Sequence, residues 1–273
     1  MKLKKKFQFS DSNQIWRIKI TETDKLFIET RNTEKMKAYF HCYNLLSGKK
    51  LFSKFQMNEI FWLGIEAIKD DVVYFHRYTK PDMPGHRGIF AFDLNTQKIL
   101  WEDESYTFSF IKDDLIYVFN DHFEGRYYYT LNIKTGKIIQ ELGSVSEKIK
   151  VLRDEAELMI DYSNYTFPER YVSGGNREID NLINVTISNI EIINGVDYVH
   201  KEELLIFNFH QFIENKKLTN KIKAFNLSKG KELFSEVLNK SVNAYAPDSF
   251  FIYKNMLIIL KEKKTVIILE IIS

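Results

Sequence analysis

Hydrophobic and polar residues alternate with a period of two in short runs along most of the chain, and polar turns interrupt those runs at similar intervals. The clearest case runs from Phe90 to Trp101. Phe90, Phe92 and Leu94 alternate on the way in, Asn95-Thr96-Gln97 forms a polar tip, and Ile99 and Trp101 alternate on the way out. This pattern predicts a β-hairpin. Weaker copies follow the same grammar at Asn44-Leu45-Leu46-Ser47-Gly48-Lys49, Asn132-Ile133-Lys134-Thr135-Gly136-Lys137 and Asn226-Leu227-Ser228-Lys229-Gly230-Lys231. Each places Asn or Asp four residues before the turn's glycine position. A short polar side chain there can bond local backbone, and glycine supplies a positive φ without steric cost.

Asn44, Asp93, Asn132 and Asn226 are separated by 49, 39 and 94 residues, the last interval being long enough for two repeats. Upstream of the turns lie further strand pairs. Ile65–Ile68 and Val72–His76 flank Lys69-Asp70-Asp71, and Phe108–Ile111 and Leu115–Val118 flank Lys112-Asp113-Asp114. Four strands repeating every 40 to 50 residues or so predict propeller blades. The expected blades are Trp16–Gln56, Phe61–Asp103, Tyr106–Leu142, a fourth between Lys148 and Asn194 with Leu158-Met159-Ile160 as its second strand, and Tyr198–Leu238. Three strands follow, at Phe250–Tyr253, Met256–Leu260 and Val266–Ile272. Phe7-Gln8-Phe9, placed outside the last of them, would complete that blade, close the ring and remove a sheet edge. The expectation is an all-β, single-domain β-propeller over 1–273 with six four-stranded blades. Reading Asn181–Asn194 as further strands gives seven.

Composition fits a strand-rich chain, with fifteen Tyr and twenty-two Phe against four Pro. Lys and Arg total 39 against 37 Asp and Glu, so a net charge of +2 offers no electrostatic case for nucleic acid. No apolar run has the length of a membrane helix, and the basic opening Met1–Lys6 leads into Phe7-Gln8-Phe9-Ser10-Asp11 without the apolar core of a secretory signal. A cytoplasmic location is expected. The lone Cys42 excludes an intramolecular disulfide and a cysteine-rich zinc site, and its alternating context predicts a buried, inert thiol.

Candidate chemistry follows from aligning the second strands of the blades through Phe27, Tyr74, Tyr117 and Ile206. Glu29, His76, Phe119 and Asn208 then become equivalent, as do Arg31, Tyr78, Asp121 and His210. Glu29, Arg31, His76 and Tyr78 are thus expected together near one face of the first two blades. A carboxylate beside an imidazole can set its tautomer, and Arg can hold a carboxylate or phosphate with two hydrogen bonds. The competing reading is an ion pair joining blades. The segment Tyr78–Gly88, with Pro81, Pro84, Gly85, His86 and Arg87, is expected as a rigid rim loop. Trp16 and Trp62 are expected to begin first strands and to stack on a ligand or between sheets. The insertion carrying Tyr165, Phe167, Arg170 and Tyr171 is a candidate lid or partner surface. His41, His76, His86, His122, His200 and His210 lack local ligand spacing, so no metal or other cofactor is expected, and only convergence of different blades would assemble a metal site.

The pattern Asp-x-x-Thr-x-Lys-x-x-Trp, from Asp93 to Trp101, resembles the quinoprotein-like and tryptophan-docked β-propeller repeats. Phe52, Gln140 and Phe234 replace the tryptophan in the other copies. Ile15-Trp16-Arg17-Ile18, Glu29-Thr30-Arg31, Trp62-Leu63-Gly64 and His76-Arg77-Tyr78 with Pro81, Pro84 and Gly88-Ile89 resemble an uncharacterised bacterial family of unknown function. The resemblance implies the propeller and brings no activity. The functional expectation is a non-catalytic module binding an unknown protein or small-molecule ligand. The alternative is a hydrolase or lyase using Glu29, His76 and Tyr78.

Overall fold

The repeated turn is built as its sequence dictates. In the computed structural model, which describes residues 1–80, 83–213 and 217–272, Asn44 Oδ1 accepts from the Ser47 N–H at 2.8 Å, and Asp93 Oδ1 from the Asn95 and Thr96 N–H groups. Asn132 and Asn226 cap their own turns in the same way. The position four residues on has a left-handed backbone in every copy: Gly48, Gln97, Gly136 and Gly230. A second bond recurs with it. The N–H groups of Leu45, Leu94, Ile133 and Leu227 donate to the carbonyls of Asp24, Asp71, Asp114 and Glu203, tying each turn to the hairpin beside it. The repeat is therefore a folding unit that closes two adjacent turns at one end of a sheet.

The chain divides into two units, Ile15–Ile160 and a second made of Met1–Gln14 with Asp161–Ser273. The first holds three antiparallel sheets of four sequential strands. They are β2 (Gln14–Ile20), β3 (Lys25–Asn32), β4 (Lys37–Asn44) and β5 (Lys50–Phe55); β6 (Leu63–Lys69), β7 (Val72–Lys80), β8 (Met83–Asp93) and β9 (Lys98–Asp103); and β10 (Thr107–Lys112), β11 (Leu115–His122), β12 (Gly125–Asn132) and β13 (Ile138–Gly143). Each follows the up-and-down order of a propeller blade. Phe27, Phe40, Phe52, Phe75, Phe90 and Phe92 fill the space between the first two sheets, with Phe75 and Phe90 stacked at 5.1 Å. Tyr74, Ala91, Ile116, Val118 and Leu131 do the same between the second and third. Trp101 docks on the third sheet's turn. Its Nε1 donates to the Ile133 carbonyl at 3.1 Å, and its ring lies where a Cβ on Gly136 would be 2.5 Å away.

The second unit contains two sheets. One is β16 (Ile192–Lys201), β17 (Leu204–Phe212), β18 (Leu218–Asn226) and β19 (Lys231–Val242), edged by the two-residue β15 (Glu169–Arg170). The other is β20 (Phe250–Tyr253), β21 (Met256–Lys261) and β22 (Thr265–Ile272), flanked by β1 (Lys2–Ser10) on one side and β14 (Tyr165–Thr166) on the other. The expected N-terminal completion is present. Phe9 pairs with Val266 and Lys2 with Ile272, leaving β22 between two partners. Val199, Ile206, Leu238, Ile252, Leu257 and Leu269 pack between the two sheets.

The fourth expected blade is not a sheet. Residues from Lys148 to Asn194 form α1 (Ser146–Leu158) and α2 (Arg177–Ile187), with β14 and β15 added to the edges of other sheets. The described residues accordingly hold five sheets, where six blades, or seven, were expected. The physical reason is periodicity. Ile149, Leu152 and Ala156 recur at helical spacing and pack on Phe110, Tyr117 and Phe119, whereas Leu158, Met159 and Ile160, expected as a strand, are exposed. Asn176 caps α2 by accepting from the Glu178 and Ile179 N–H groups, and Ile179 and Ile183 bury its inner face. Cys42 is buried as expected, and that burial pushes its thiol up to about 12.

Candidate functional site

Two clusters of the expected residues lie on the first two sheets, and β6 contributes to both. The first surrounds Glu29, at 1% exposure, and Arg31, at 7%. Arg31 Nε donates to Glu29 Oε1 at 2.5 Å, while its other nitrogens donate to the Phe61 and Leu63 carbonyls at 3.1 and 2.5 Å. The guanidinium is packed over the rings of Phe61 and half-exposed Trp16. The Glu29 bond lies within β3, where it holds the guanidinium in place, and the two carbonyl bonds tie β3 to Phe61 and to Leu63 at the start of β6. This pair therefore straps two sheets together, the competing reading raised by the sequence. Glu29 is sealed from solvent.

The second cluster sits where β6, β7 and β8 run side by side, presenting Glu66, His76 with Tyr78, and His86. The expected rim loop is instead hairpin. Strands β7 and β8 extend to Lys80 and Met83, with Tyr78 opposite His86, and Pro81 and Asp82 lie outside the described residues. One extra residue on β8 separates the Phe75–Phe90 pair from the Arg77–Arg87 pair, and Gly88 in that bulge has φ +70°. The bulge re-aims the outer hairpin. It brings the His86 ring onto that of His76, 3.5 Å between centroids and 12° from parallel.

Glu66 faces both rings. Its Oε1 accepts from His86 Nδ1 at 2.8 Å and lies 2.7 Å from His76 Nδ1. The His76 contact is close but badly angled, so neither His76 ring nitrogen makes an aligned hydrogen bond among the described residues. His76 is nevertheless 1% exposed, and an orphaned buried polar group is costly. Space for its ring exists because Gly64 lies opposite on β6. A Cβ there would stand 2.5 Å from His76 Cε1 and 2.6 Å from Nε2. Tyr78 presents its ring edgewise to both imidazoles, at 5.1 and 5.7 Å, and to Trp62 at 6.2 Å.

Electrostatics separates the two buried members. Burial pushes the His76 imidazole below its ordinary value, against the pull of Glu66, and the charges of His86 and Arg17 act in the same direction as burial. For Glu66, burial would raise the carboxyl, but the close contacts and charges of His76 and His86 outweigh it and hold the group below its usual value. The resting arrangement is a neutral buried imidazole beside an ionised carboxylate. Arg17 is committed elsewhere, donating to the Ile65 carbonyl at 2.7 Å.

Of the sequence candidates, His76, Tyr78, His86 and Trp62 thus come together, while Glu29, Arg31 and Trp16 form the strap. Arg87 is exposed and, among the described residues, donates to the Glu104 carbonyl at 3.3 Å. Glu66 was missed. The expectation that only different blades could assemble metal ligands does not hold either, since Glu66, His76 and His86 offer donor atoms within 4.8 Å of one another from three neighbouring strands of one sheet. His41 is structural, its Nε2 bonded to Thr30 Oγ1 at 3.0 Å and its Nδ1 to Ser53 Oγ at 2.8 Å. In the second unit, Tyr165 and Phe167 stack with each other and lie against Phe251, Tyr171 donates to Asp180, and Arg170 pairs with Asp197 beside Tyr245. A groove of about 360 Å³ in that unit, lined by Leu3, Phe234, Glu236 and Lys261, contains none of the sequence candidates.

Residues 20–101, less than a third of the chain, match the family model of a domain of unknown function, DUF4905. That span includes the Glu66, His76 and His86 cluster and, of the strap, Glu29 and Arg31 but not Trp16. Among curated proteins none matches the chain. Solved structures similar to it include a europium-containing methanol dehydrogenase, at 11% identity over 96% of this chain and 52% of that one, TM-score 0.32. Others are Kluyvelomyces marxianus Hsv2, at 12% identity over 96% and 78%, TM-score 0.31, and the uncharacterized protein lmo1340 from Listeria monocytogenes EGD-e, at 9% over 91% and 75%, TM-score 0.32. The chain spans about half the length of the methanol dehydrogenase. No helix among the described residues is long and apolar enough to cross a membrane.

Proposed function

We propose that the chain is a non-catalytic binding module on blade-like sheets, and that its recognition element is the end of the second sheet bearing Glu66, His76, Tyr78 and His86. One observation carries this reading: a fully buried imidazole, its Nε2 without a partner among the described residues and its Nδ1 in a poorly angled contact with Glu66, is held over Gly64 and against the partly exposed His86. A fold that only needed filling there would place an apolar side chain at no such cost. The hydrolase or lyase alternative would have to work with Glu29 buried against Arg31, or draw its carboxylate from Glu66.

A ligand that binds only the folded chain raises its melting temperature. The test is a thermal-shift screen against divalent metals, nucleotides, sugars, organic acids and sugar phosphates, repeated with His86→Ala. At least one member should stabilise the wild type and lose its effect in the variant. A panel that shifts nothing, or shifts both proteins alike, would overturn the reading.

A further inference from the structure

We propose that Glu66, His76 and His86 bind one divalent transition-metal ion of the zinc, nickel, cobalt and copper group. The inference rests on the reading of this cluster as a recognition element and names its ligand class. Three potential donors lie within 4.8 Å of one another, and one of them, His76, is buried with both ring nitrogens lacking an aligned partner among the described residues. Metal–nitrogen and metal–oxygen bonds of about 2.0–2.2 Å set neighbouring donors roughly 3 Å apart. Glu66 Oε1 is 2.7 and 2.8 Å from the two Nδ1 atoms, and a retreat of the carboxylate together with rotation of the exposed His86 ring out of its stack admits an ion to the in-plane lone pairs of both rings.

Donor chemistry selects the class. Two imidazoles and one carboxylate suit borderline divalent ions; calcium and magnesium prefer all-oxygen shells, and soft monovalent copper prefers sulfur. The only thiol of the chain, Cys42, is not in the cluster. Position favours capture. His76 is fixed against Gly64, whereas His86 is 39% exposed on the outer hairpin and leaves a solvent-facing side where further coordination positions stay open. An ion there would satisfy the orphaned imidazole and replace its poorly angled contact with Glu66.

The test titrates untagged, chelator-treated, full-length protein with Co²⁺, followed by Zn²⁺. One equivalent of Co²⁺ should produce visible d–d absorption that one equivalent of Zn²⁺ removes, and Mg²⁺ and Ca²⁺ should leave the spectrum flat. His86→Ala and Glu66→Gln, checked for native circular dichroism, should each weaken binding by more than the roughly 10–100-fold that loss of an outer-shell partner costs. Absence of the bands in the wild type, or bands unchanged in both variants, would overturn the proposal. If an organic or phosphate ligand from the thermal-shift panel still stabilises the wild type in a His86-dependent way, the recognition element stands and only its assignment to a metal falls. If nothing in the panel does, both fall.

Discussion

The imidazoles of His76 and His86 lie face to face, 3.5 Å apart, although they are ten positions apart in the chain and only one of the two is fully buried. The stack depends on two glycines. Gly64 makes room for the buried ring, and Gly88, left-handed in the β8 bulge, swings the outer ring over it.

Gly64→Ala should therefore dismantle the cluster without removing any of its polar atoms. Its Cβ would meet the His76 ring at 2.5 Å, and forced repacking of this kind costs about 1–3 kcal/mol. Urea denaturation should show that loss, and the histidine side-chain NMR signals of His76 and His86 should both move. Unchanged signals would place the His76 ring elsewhere.

The strap makes a different demand. Removing one charge of a buried pair leaves the other uncompensated, which costs about 3–5 kcal/mol, so Glu29→Gln should be strongly destabilising. The double change Glu29→Leu with Arg31→Met should recover part of that loss in the same denaturation measurement, because no charge is then left buried.

Trp101 reports on the joint between the second and third sheets. Gly136→Ala both forces a residue with a Cβ into φ +68° and drives it into the Trp101 ring, and should cost about 1–3 kcal/mol. Tryptophan fluorescence should redden as the indole leaves its Ile133 partner. Trp101→Phe, which removes that hydrogen bond and keeps most of the packing, should cost less.

The second unit should respond to acid through His210. The residue is fully buried, accepts from the Ala246 N–H at 3.2 Å and lies against Tyr245. Burial lowers its imidazole below the ordinary value, Asp197 opposing and Arg170 assisting. As pH falls through about 6.5, the unfolded chain takes up a proton that the folded chain refuses, so stability declines until the lower folded value is passed. His210→Gln should flatten part of that decline in melts between pH 7.5 and 5, a range chosen around the ordinary imidazole value of about 6.5. An equally steep decline would show that His210 does not carry it.

Much of this architecture was legible because its determinants are local. Asn44, Asp93, Asn132 and Asn226 cap their own turns, and alternation marks the strands that enter and leave them. The pairing of β1 with β22 was also legible, since three strands at one terminus lacked a fourth. The helices were misread because the apolar triplet Leu158-Met159-Ile160 imitates a strand, while the weaker helical spacing of Ile149, Leu152 and Ala156 carried the true signal. The cluster was half legible. Strand alignment singled out His76 and Tyr78, but Glu66 and His86 reach them only through bulged registers, and no sequence period encodes where a bulge falls. The available hint was glycine: Gly64 opposite a histidine, and Gly88 interrupting a strand.

We propose that labour divides between the strap at Glu29 and Arg31 and the recognition element at Glu66, His76 and His86. Parallel thermal melts of wild type, Glu29→Gln and His86→Ala, with and without the stabilising member of the panel, test it most directly. Glu29→Gln should melt well below the wild type yet keep the ligand-induced shift, and His86→Ala should melt near the wild type and lose it. If His86→Ala instead lowers the melting point as Glu29→Gln does, and no ligand shifts the wild type, both clusters are straps and the claim is wrong.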